Sequence, residues 1–534
     1  MNKPLLISLA TASLLFSNVN AASMNDRFQE MEKEMQDLKT DIAKLQKEQL
    51  MTDEEHDDES EEDEEGEDDK ISELEESISD LEDDIEDLNS RTSGNALKFG
   101  VDFRTAVDNL NYKMADGEKE GNDALITNRL WLNMNWKATD NLSFTGQLAY
   151  NKAFGNRSGF NGGIAGFETF DWITNENAYD DVLRVRSAFF FYRNDTFIGT
   201  DIPWTFSIGR RPSTNGNLIN LRDDDKAASP MGHTINVEFD GLSSKFSFAE
   251  LTGVSGMYVK LCAGRGGTNA NAKFFTVDPQ TGAPSMTAPY ATNDDDIPDI
   301  DLVGLIFVPY NDGQYKIGTQ YYYASNLIDA DMQSCSDSEG NPYPCFKGMD
   351  NVGGMHAFTA NLKIDGIGDE WSDFLDDTTL FISGAWSMTD PKEGGQGMLG
   401  SQDAKTGSSF WIGTQFPSLI SEDGRWGLEY NKGDKYWRSI TYAEDTNIGS
   451  KIAARGSAYE AYITEPLHED VLSFQLRFTY IDYDYSGSNG FFGSAPGSTP
   501  YDISDIKDGM YGPDMAAMTV DTAQDIRAYI RYRF

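Results

Sequence analysis

The sequence predicts an all-β transmembrane barrel of sixteen or eighteen antiparallel strands, preceded by an α-helical coiled coil. Three observations support this fold: period-two alternation of apolar residues after Ser93, a C-terminal strand with one apolar and one arginine-rich face, and heptads near the N-terminus. Mean hydropathy is -0.52 and 39% of residues are apolar, values far too low for a helical membrane protein. A barrel tolerates them because half of each strand faces water.

Residues 1–21 match a secretory signal peptide, in which Lys3 precedes an apolar stretch and small residues precede the cleavage point at Ala21. We expect the mature chain to start at Ala22. The apolar stretch is too short to span a bilayer as a helix, and no later segment supplies the roughly 18 consecutive apolar residues that a spanning helix needs.

Residues 22–50 and 71–90 are predicted to be coiled-coil segments, because their apolar residues are spaced alternately four and three apart. With Phe28 at position a, Arg27 faces Glu32 and Glu34 faces Lys39 across a parallel interface. These attractive pairs favour a parallel homo-oligomer over an internal hairpin. Ile at a with Leu at d favours two strands.

The predicted linker, residues 51–70, is strongly acidic, with 14 Asp or Glu in the 17 positions from 53 to 69. Such a block repels itself, so we expect disorder. It serves either as a tether that holds cations or docks a protein, or as a solubilising spacer. Residues 1–90 hold 30 acidic residues against 7 Lys and Arg, half of the formal net charge of -46. No basic patch is present, which excludes nucleic acid as a partner.

The predicted barrel occupies residues 91–534. Alternating apolar faces are clearest near Phe99, Leu132, Phe144 and Phe474, and we count seventeen strands, including one near residue 436. A barrel with both termini on one side needs an even number, so we expect one strand between Cys345 and Arg425 to be missed or invented. Sixteen or eighteen strands would leave an aqueous lumen.

The predicted connections alternate in length, as short turns and long outer loops require. The expected short turns cover residues 137–141, 240–243 and 310–313, and the expected long loops cover residues 154–181, 263–298 and 324–351.

Two segments, residues 207–216 and 426–437, resemble an uncharacterised domain-of-unknown-function family of porin-like outer-membrane barrels with an N-terminal coiled coil. The resemblance implies an outer-membrane location with the coiled coil in the periplasm. It also implies outer-membrane lipid and the barrel-assembly machinery as partners, and a trimer, whereas the heptads favour a dimer. It leaves the solute unspecified.

The inward faces of several predicted strands carry arginines, which should make one wall of the lumen basic. In general porins the third loop folds into the lumen, and here residues 212–232 contain Asp223, Asp224 and Asp225. An acidic loop facing an arginine wall would sort solutes by charge; alternatively, the arginines pair with neighbouring carboxylates and the loop stays outside. The predicted pore-lining residues are Arg104, Arg129, Arg184, Arg186, Arg211, Arg477, Arg527 and Arg531.

Three cysteines are present in a chain predicted to be exported, where disulfides persist. Cys335 and Cys345 bracket a turn-rich run, which indicates a surface loop closed by a disulfide, and Cys262 is left over on a predicted strand. No Cys-x-x-Cys-His occurs, so a c-type haem is excluded. We predict no cofactor and no metal.

The C-terminal strand alternates strictly, with Ile530, Tyr532 and Phe534 on its apolar face. A chain that ends on an aromatic residue resembles the signal that the barrel-assembly machinery recognises. We therefore expect these three residues to direct assembly.

The sequence favours a porin-like channel for passive diffusion of small solutes, charged ones among them. The alternatives are an envelope-tethering or adhesin-type barrel protein and, less favoured, a hydrolase on the barrel rim. A hydrolase would need a histidine beside a nucleophile; only His233 and His356 qualify by position, and no nucleophile motif accompanies either. We predict that the protein is not an enzyme.

The charge pattern of the first coiled-coil segment predicts parallel self-association. Reversing the charges of Arg27 and Lys39 should weaken association of residues 22–90, and reversing Glu32 and Glu34 as well should restore it, because both pairs are matched only in parallel. Sedimentation equilibrium measures this. A parent segment that stays monomeric at high concentration, with and without divalent cations, would contradict the prediction.

Overall fold

A computed structural model describes residues 97–154, 182–268, 270–271, 276–277, 284–285, 292–293, 299–336, 339–368, 371–441, 444–469 and 471–534. The predicted signal peptide, both coiled-coil segments and the acidic linker lie outside the described residues. Residues 98–135 and 140–534 belong to one compact unit, which is the barrel.

Sixteen antiparallel strands form the wall, as period-two alternation predicts. They are β1 Lys98–Met114, β2 Lys119–Lys137, β3 Leu142–Ala153, β4 Arg184–Asn194, β5 Trp204–Ser213, β6 Ile235–Ser247, β7 Tyr258–Gly267, β8 Ile300–Asn311, β9 Tyr315–Ser336, β10 Pro342–Asp365, β11 Thr379–Pro391, β12 Thr406–Pro417, β13 Arg425–Gly433, β14 Gly456–His468, β15 Leu472–Tyr483 and β16 Val520–Arg533.

Each strand pairs with its neighbour in sequence, and the wall closes because β1 pairs with both β2 and β16. Phe103 lies opposite Leu130 on one side and opposite Tyr532 on the other. The even number of strands brings the start of β1 and the end of β16 to one rim, the terminal rim; we call the opposite one the loop rim. The barrel is confirmed, with the lower of the two expected strand numbers.

Three details of the predicted topology are wrong. The seventeenth strand, near residue 436, is part of a loop, so the error lay after Arg425 and not between Cys345 and Arg425. Residues 240–243 lie inside β6, and the turn comes after residue 247. The expected long loop at 324–351 is mostly a two-stranded extension of β9 and β10, with only residues 337–341 between the strands.

The two faces of the wall differ in polarity. Outward positions carry large apolar side chains that remain exposed, among them Phe103, Leu305, Phe358 and Leu428. Inward positions of the same strands carry polar and charged side chains. This is the pattern of a wall that faces lipid on one side and water on the other. No helix among the described residues is long and apolar enough to cross a membrane.

Three loops of the loop rim fold back into the lumen: L3 (residues 214–234), L7 (residues 434–455, apart from 442–443) and L8 (residues 484–519). L3 contains a parallel pair of short strands, and residues 440–441 of L7 pair in parallel with the start of β6. The short helices are α1 Ile219–Arg222 in L3, α2 Ala249–Thr252, α3 Asp373–Asp376, and α4 Ile503–Lys507 and α5 Pro513–Met518 in L8.

Apolar residues of these loops pack against the inner wall. Ile219 and Leu221 of α1 cluster with Phe381 of β11, Trp411 of β12 and Ile452 of L7. Burying one such side chain contributes about 1.5–3 kcal/mol. L3 thus crosses the lumen from β5 and β6 to the opposite wall, and L7 packs against L3.

Phe534 closes the barrel through its backbone, because its N–H donates to the carbonyl of Val101 and its carbonyl accepts from the N–H of Val101, both at 2.8 Å. Its ring is 75% exposed on the outer face. Deleting Phe534 should lower the amount of folded barrel in the outer membrane, since both hydrogen bonds, about 1 kcal/mol each, and the proposed assembly signal are lost. Heat-modifiable gel mobility of membrane fractions measures this.

Phe534→Ala is the matched variant, since it keeps the backbone bonds and removes only the ring. Normal accumulation of both variants would show that the C-terminus does not direct assembly.

Candidate functional site

The register of the closing strands brings five arginines together on the inner wall. Arg104 of β1 lies opposite Arg129 of β2 and opposite Arg531 of β16, and Arg527 of β16 lies opposite Arg477 of β15. All five are at most 4% exposed. Like charges directly opposite one another destabilise a sheet, so this wall requires carboxylates from elsewhere.

L7 supplies the first carboxylate, that of Asp445. Arg104 donates from Nη1 and Nη2 to its two oxygens at 2.6 and 2.7 Å, and Arg129 Nη1 donates to Oδ2 at 2.5 Å. Arg527 Nη1 donates to the carbonyl of Asp445 at 2.7 Å. A bidentate, charge-assisted pair of this kind is among the strongest polar contacts in proteins. One loop residue therefore joins three wall strands.

L3 supplies further acceptors for the arginines through the acidic run Asp223–Asp225. Arg531 donates to the carbonyl of Asp223 and to Oδ1 of Asp225, both at 2.7 Å, and Arg533 donates to the carbonyl of Asp224 at 2.9 Å. The acidic run thus lies inside the lumen, in direct contact with the arginines of β16. The acidic run therefore compensates the charge of these arginines by direct contact, and no open gap separates the acidic run from the arginines of β16.

The wall itself contributes two aspartates on β1. Asp102 accepts from Arg531 Nε at 2.9 Å, and Asp108 accepts from Arg527 Nε at 2.5 Å. Both are at most 3% exposed. The rest of the compensation therefore comes from the strand that barrel closure places beside β16.

A second charged group lies where α1 meets L7. Arg222 of α1 approaches Glu460 of β14 at 3.5 Å, and Lys451 of L7 forms ion pairs with Glu460 and, at 2.6 Å, with Glu429 of β13. Arg477 Nη1 lies 3.9 Å from Oδ1 of Asp223, and its side-chain nitrogens make no hydrogen bond to any described residue. L3 and L7 are thus held by one shared carboxylate, that of Glu460.

Two neighbouring carboxyl groups of L7 differ in pKa. Burial raises the pKa of Glu444, against the opposing effect of Lys451 and Arg222. Burial also acts on Asp445, but the guanidinium groups of Arg104 and Arg129 hold its pKa well below the usual range. A depressed pKa contributes stability that is present above the unfolded pKa, about 4, and lost as pH falls through the folded value. The Asp445 contact therefore persists in mildly acidic solution.

The three other predicted arginines lie on β4 and β5, and Arg186 adjoins the wall just described, because Arg129 lies against the same Trp131 ring, with 3.5 Å from its Cζ to the ring centroid. Arg186 pairs with Glu238 at 3.1 Å and lies against the ring of Trp131, with 4.3 Å from its Cζ to the ring centroid. Arg211 donates to the hydroxyls of Ser207 and Ser243. Arg184 stands near the loop rim, in register with Ala149. The eight predicted arginines are therefore distributed over two sides of the lumen.

His233 anchors L3 to the far wall. Its ring nitrogens lie 2.8 Å from Ser383 Oγ and 2.9 Å from Ser409 Oγ, and its ring lies 5.5 Å from that of Trp411 between centroids. It is fully buried, and burial lowers its pKa to about 3. His356 lies on the outer face, 2.8 Å from the hydroxyl of Tyr321.

Cys335 and Cys345 form a disulfide with 5.7 Å between their Cα atoms, near the tip of the β9–β10 hairpin. Cys262 is a free thiol on the inner face of β7. Within the described ranges, no group of three or more His, Cys, Asp or Glu is placed to hold a metal ion.

The sequence reasoning missed Asp445, Lys451 and Arg222, although their contacts organise the lumen. All three lie in loops, where no periodicity shows which way a side chain points. The available signal is the pair Trp437 and Ile440, whose large apolar side chains indicate that L7 contains a buried segment.

An apolar outer band around a closed barrel with a polar interior is the architecture of outer-membrane β-barrels, and this chain has it. The chain belongs to the family described as "Protein of unknown function (DUF3373)", whose sequence profile matches residues 119–534. The expected membership of an uncharacterised domain-of-unknown-function family is thereby confirmed.

Solved structures similar to this barrel include outer-membrane proteins of low sequence identity. OmpT of Vibrio cholerae (in-vitro folded) is 12% identical with a TM-score of 0.41, over 82% of this chain and 97% of that chain. OprB of Pseudomonas putida, in a high-pH structure, is 12% identical with a TM-score of 0.42, over 84% and 96%. Salmonella typhi OmpF in complex with daunomycin is 11% identical with a TM-score of 0.38, over 83% and 99%. No curated protein matches the sequence.

The Asp445 contacts predict that L7 is released by one substitution. Asp445→Asn leaves Arg104 buried without its carboxylate and Arg129 with only its contact to Asp102 at 3.3 Å, a loss of about 3–5 kcal/mol. Hydrogen exchange of residues 444–452 should accelerate by at least a hundredfold.

Asp484→Asn is the matched control, because Asp484 pairs with Lys432 on the exposed rim, with side chains 47% and 44% exposed. Exposed pairs contribute about 0–1 kcal/mol, so exchange in L7 should stay within severalfold of the parent. Equal protection in both variants would contradict the role given to Asp445.

Proposed function

We propose that this protein is a porin-like outer-membrane channel through which small solutes, charged ones among them, diffuse passively. The lumen is the observation that carries the proposal. Sixteen closed strands enclose more space than wall side chains fill, and their inward faces are polar and charged. L3 and L7 enter this space and would set the width of the path.

The proposal includes selection of solutes by charge near L3. Charged groups of both signs meet there, from the wall and from the loops, and the Debye length at physiological salt is about 8 Å. Groups beside the path would therefore outweigh the remote acidic segment of residues 53–69, despite the net charge of -46.

The N-terminal segments belong to the proposal as a periplasmic prefix that joins copies of the chain, as a trimer on the porin resemblance or as a dimer on the heptad composition. The rival function is an envelope tether. Cell-wall material captured by residues 22–90, in amounts that a scrambled-heptad control does not reach, would favour the tether over an oligomerisation prefix.

We also propose that the protein is not an enzyme. The partners of His233 are serine hydroxyls, and its position between the walls leaves it fully buried. His356 lies on the face proposed to contact lipid. Hydrolysis of lipid or peptide by the purified protein, abolished by substituting either histidine, would overturn this part of the proposal.

The channel proposal predicts discrete conductance steps from the purified protein in a planar bilayer. In a salt gradient, the double variant Asp223→Asn/Asp225→Asn should favour anions over cations severalfold more than the parent, since Arg531 and Arg533 lose compensating charge. One unit charge 4 Å from an ion contributes about 1 kcal/mol even in water.

Asp240→Asn is the control, because that carboxylate is 65% exposed and lies 3.7 Å from Arg210. It should leave the reversal potential nearly unchanged. Absence of conductance from the parent and from all variants would refute the channel.

A further inference from the structure

A second group of cations lines the inner wall on the side formed by β5–β9. Lys245 of β6 is in register with Lys260 of β7, and both lie within three residues of the terminal rim. Lys316 is the second residue of β9, at the same rim. Arg211 of β5 joins this group because it lines one cavity together with Lys260. We call Arg211, Lys245, Lys260 and Lys316 the lysine wall.

The lysine wall lacks the carboxylates that neutralise the arginines of β1 and β16. Lys260 Nζ donates to Ser229 Oγ at 2.5 Å, Lys316 Nζ donates to Asn217 Oδ1 at 3.1 Å, and Lys245 Nζ lies 4.2 Å from the centroid of the Tyr258 ring. In the part of the chain that the structure describes, none of the four forms an ion pair.

The acidic group near Lys316 is already engaged. Asp365 at the end of β10 binds Lys363 Nζ at 2.7 Å, and Lys363 is in register with Lys316. Burying a cation without a countercharge is unfavourable, and Lys260 is only 8% exposed. A buried cation of this kind is a candidate for ligand binding.

Hydroxyl groups accompany two of these cations in one cavity. Its polar lining includes Arg211 and Lys260 together with Ser213, Ser229 and Ser243, and the rest is largely apolar, with Ile235, Phe239 and Leu302 among its residues. Lys245 and Lys316 lie outside this cavity. Guanidinium, ammonium and hydroxyl groups are the donors that coordinate the several oxygens of a tetrahedral anion. L3 forms part of the cavity through Ser229, so the ligand would lie between L3 and the wall.

We propose that the lysine wall is a binding site for small oxyanions, with phosphate as its model ligand, on the terminal side of L3. The site rests on the proposed channel, whose solutes it would enrich in anions. The arginines of β1 and β16, compensated by Asp445 and the acidic run of L3, serve to hold the loops.

Equilibrium binding tests the site without requiring conduction. Full-length protein in detergent is titrated calorimetrically with inorganic phosphate at constant ionic strength. Lys260→Gln should weaken binding at least about tenfold, because a hydrogen bond to a charged group is lost. Lys363→Gln removes one charge at the same rim, but one that Asp365 compensates, and should change affinity less than about twofold.

Lys260→Arg keeps the charge and should retain most of the affinity, which separates loss of the site from loss of the fold; heat-modifiable mobility checks each variant. In bilayers, phosphate should reduce the chloride current of the parent and act much more weakly on Lys260→Gln.

Conductance without phosphate binding would overturn the site and leave the channel standing. Binding without conductance would support the site and refute the channel. Equal loss of affinity in Lys260→Gln and Lys363→Gln would show that only the overall charge of the lumen matters, and would overturn the site.

Discussion

The interior of this barrel depends on one constraint, which is that the wall must close. Lipid offers no partner for an unpaired strand edge, so every backbone group in the wall has to be hydrogen-bonded to another strand. Closure places β1 beside β16, and with it Asp102 and Asp108 beside Arg531 and Arg527. Residues more than 400 positions apart in sequence thereby form ion pairs with each other. We call the contact between β1 and β16 the seam, and the charge pattern of the lumen follows from it.

The seam creates more positive charge than β1 alone can compensate. Arg104 and Arg129 face each other across the register; Asp445 compensates both of them, and Asp102 adds a longer ion pair to Arg129 at 3.3 Å. Arg531 on β16 likewise needs a carboxylate from a loop, because it forms ion pairs with both Asp102 of the wall and Asp225 of L3. Removing one partner from a buried pair costs far more than an exposed pair contributes. The loops are therefore fixed in the lumen by the wall, and the wall is stabilised by the loops.

Much of this fold was predictable, because alternation reports which face of a strand is buried. The pattern around Phe103 or Phe474 gave the outward face correctly, and with it the inward position of Arg104 and Arg477. Alternation gave a wrong prediction where residues are buried for a reason other than their place in a strand. Trp437 and Ile440 are fully buried, but they lie in a loop inside the lumen, so their apolar character imitated a strand. Asp240 and Gly241 imitated a turn within β6, although the wall continues through them.

The charged site was predictable in its wall and not in its loops. Strand parity gives the inward face of Lys245 and Lys260 as readily as that of Arg527, so these lysines are predictable from the sequence as residues that face the lumen. By contrast, nothing in the sequence around Asp445 shows that it meets Arg104. That contact depends on how a 22-residue loop folds back, which is decided by packing around Trp437 and Ile452.

The two sides of the lumen therefore have different roles in the proposed channel, although both are basic in sequence. Arginine suits the seam, since its fork can bind a carboxylate with two hydrogen bonds and hold a loop in place. Lysine suits the opposite side, where a compact ammonium group with rotatable donors can exchange one oxygen partner for another. L3 lies between them, with Asp225 against Arg531 and Ser229 against Lys260. Arg531 lies two residues from the terminal end of β16, as Lys245 lies two residues from the terminal end of β6. A solute that enters from the terminal rim would therefore meet compensated arginines on one side of the lumen and lysines without carboxylate partners on the other.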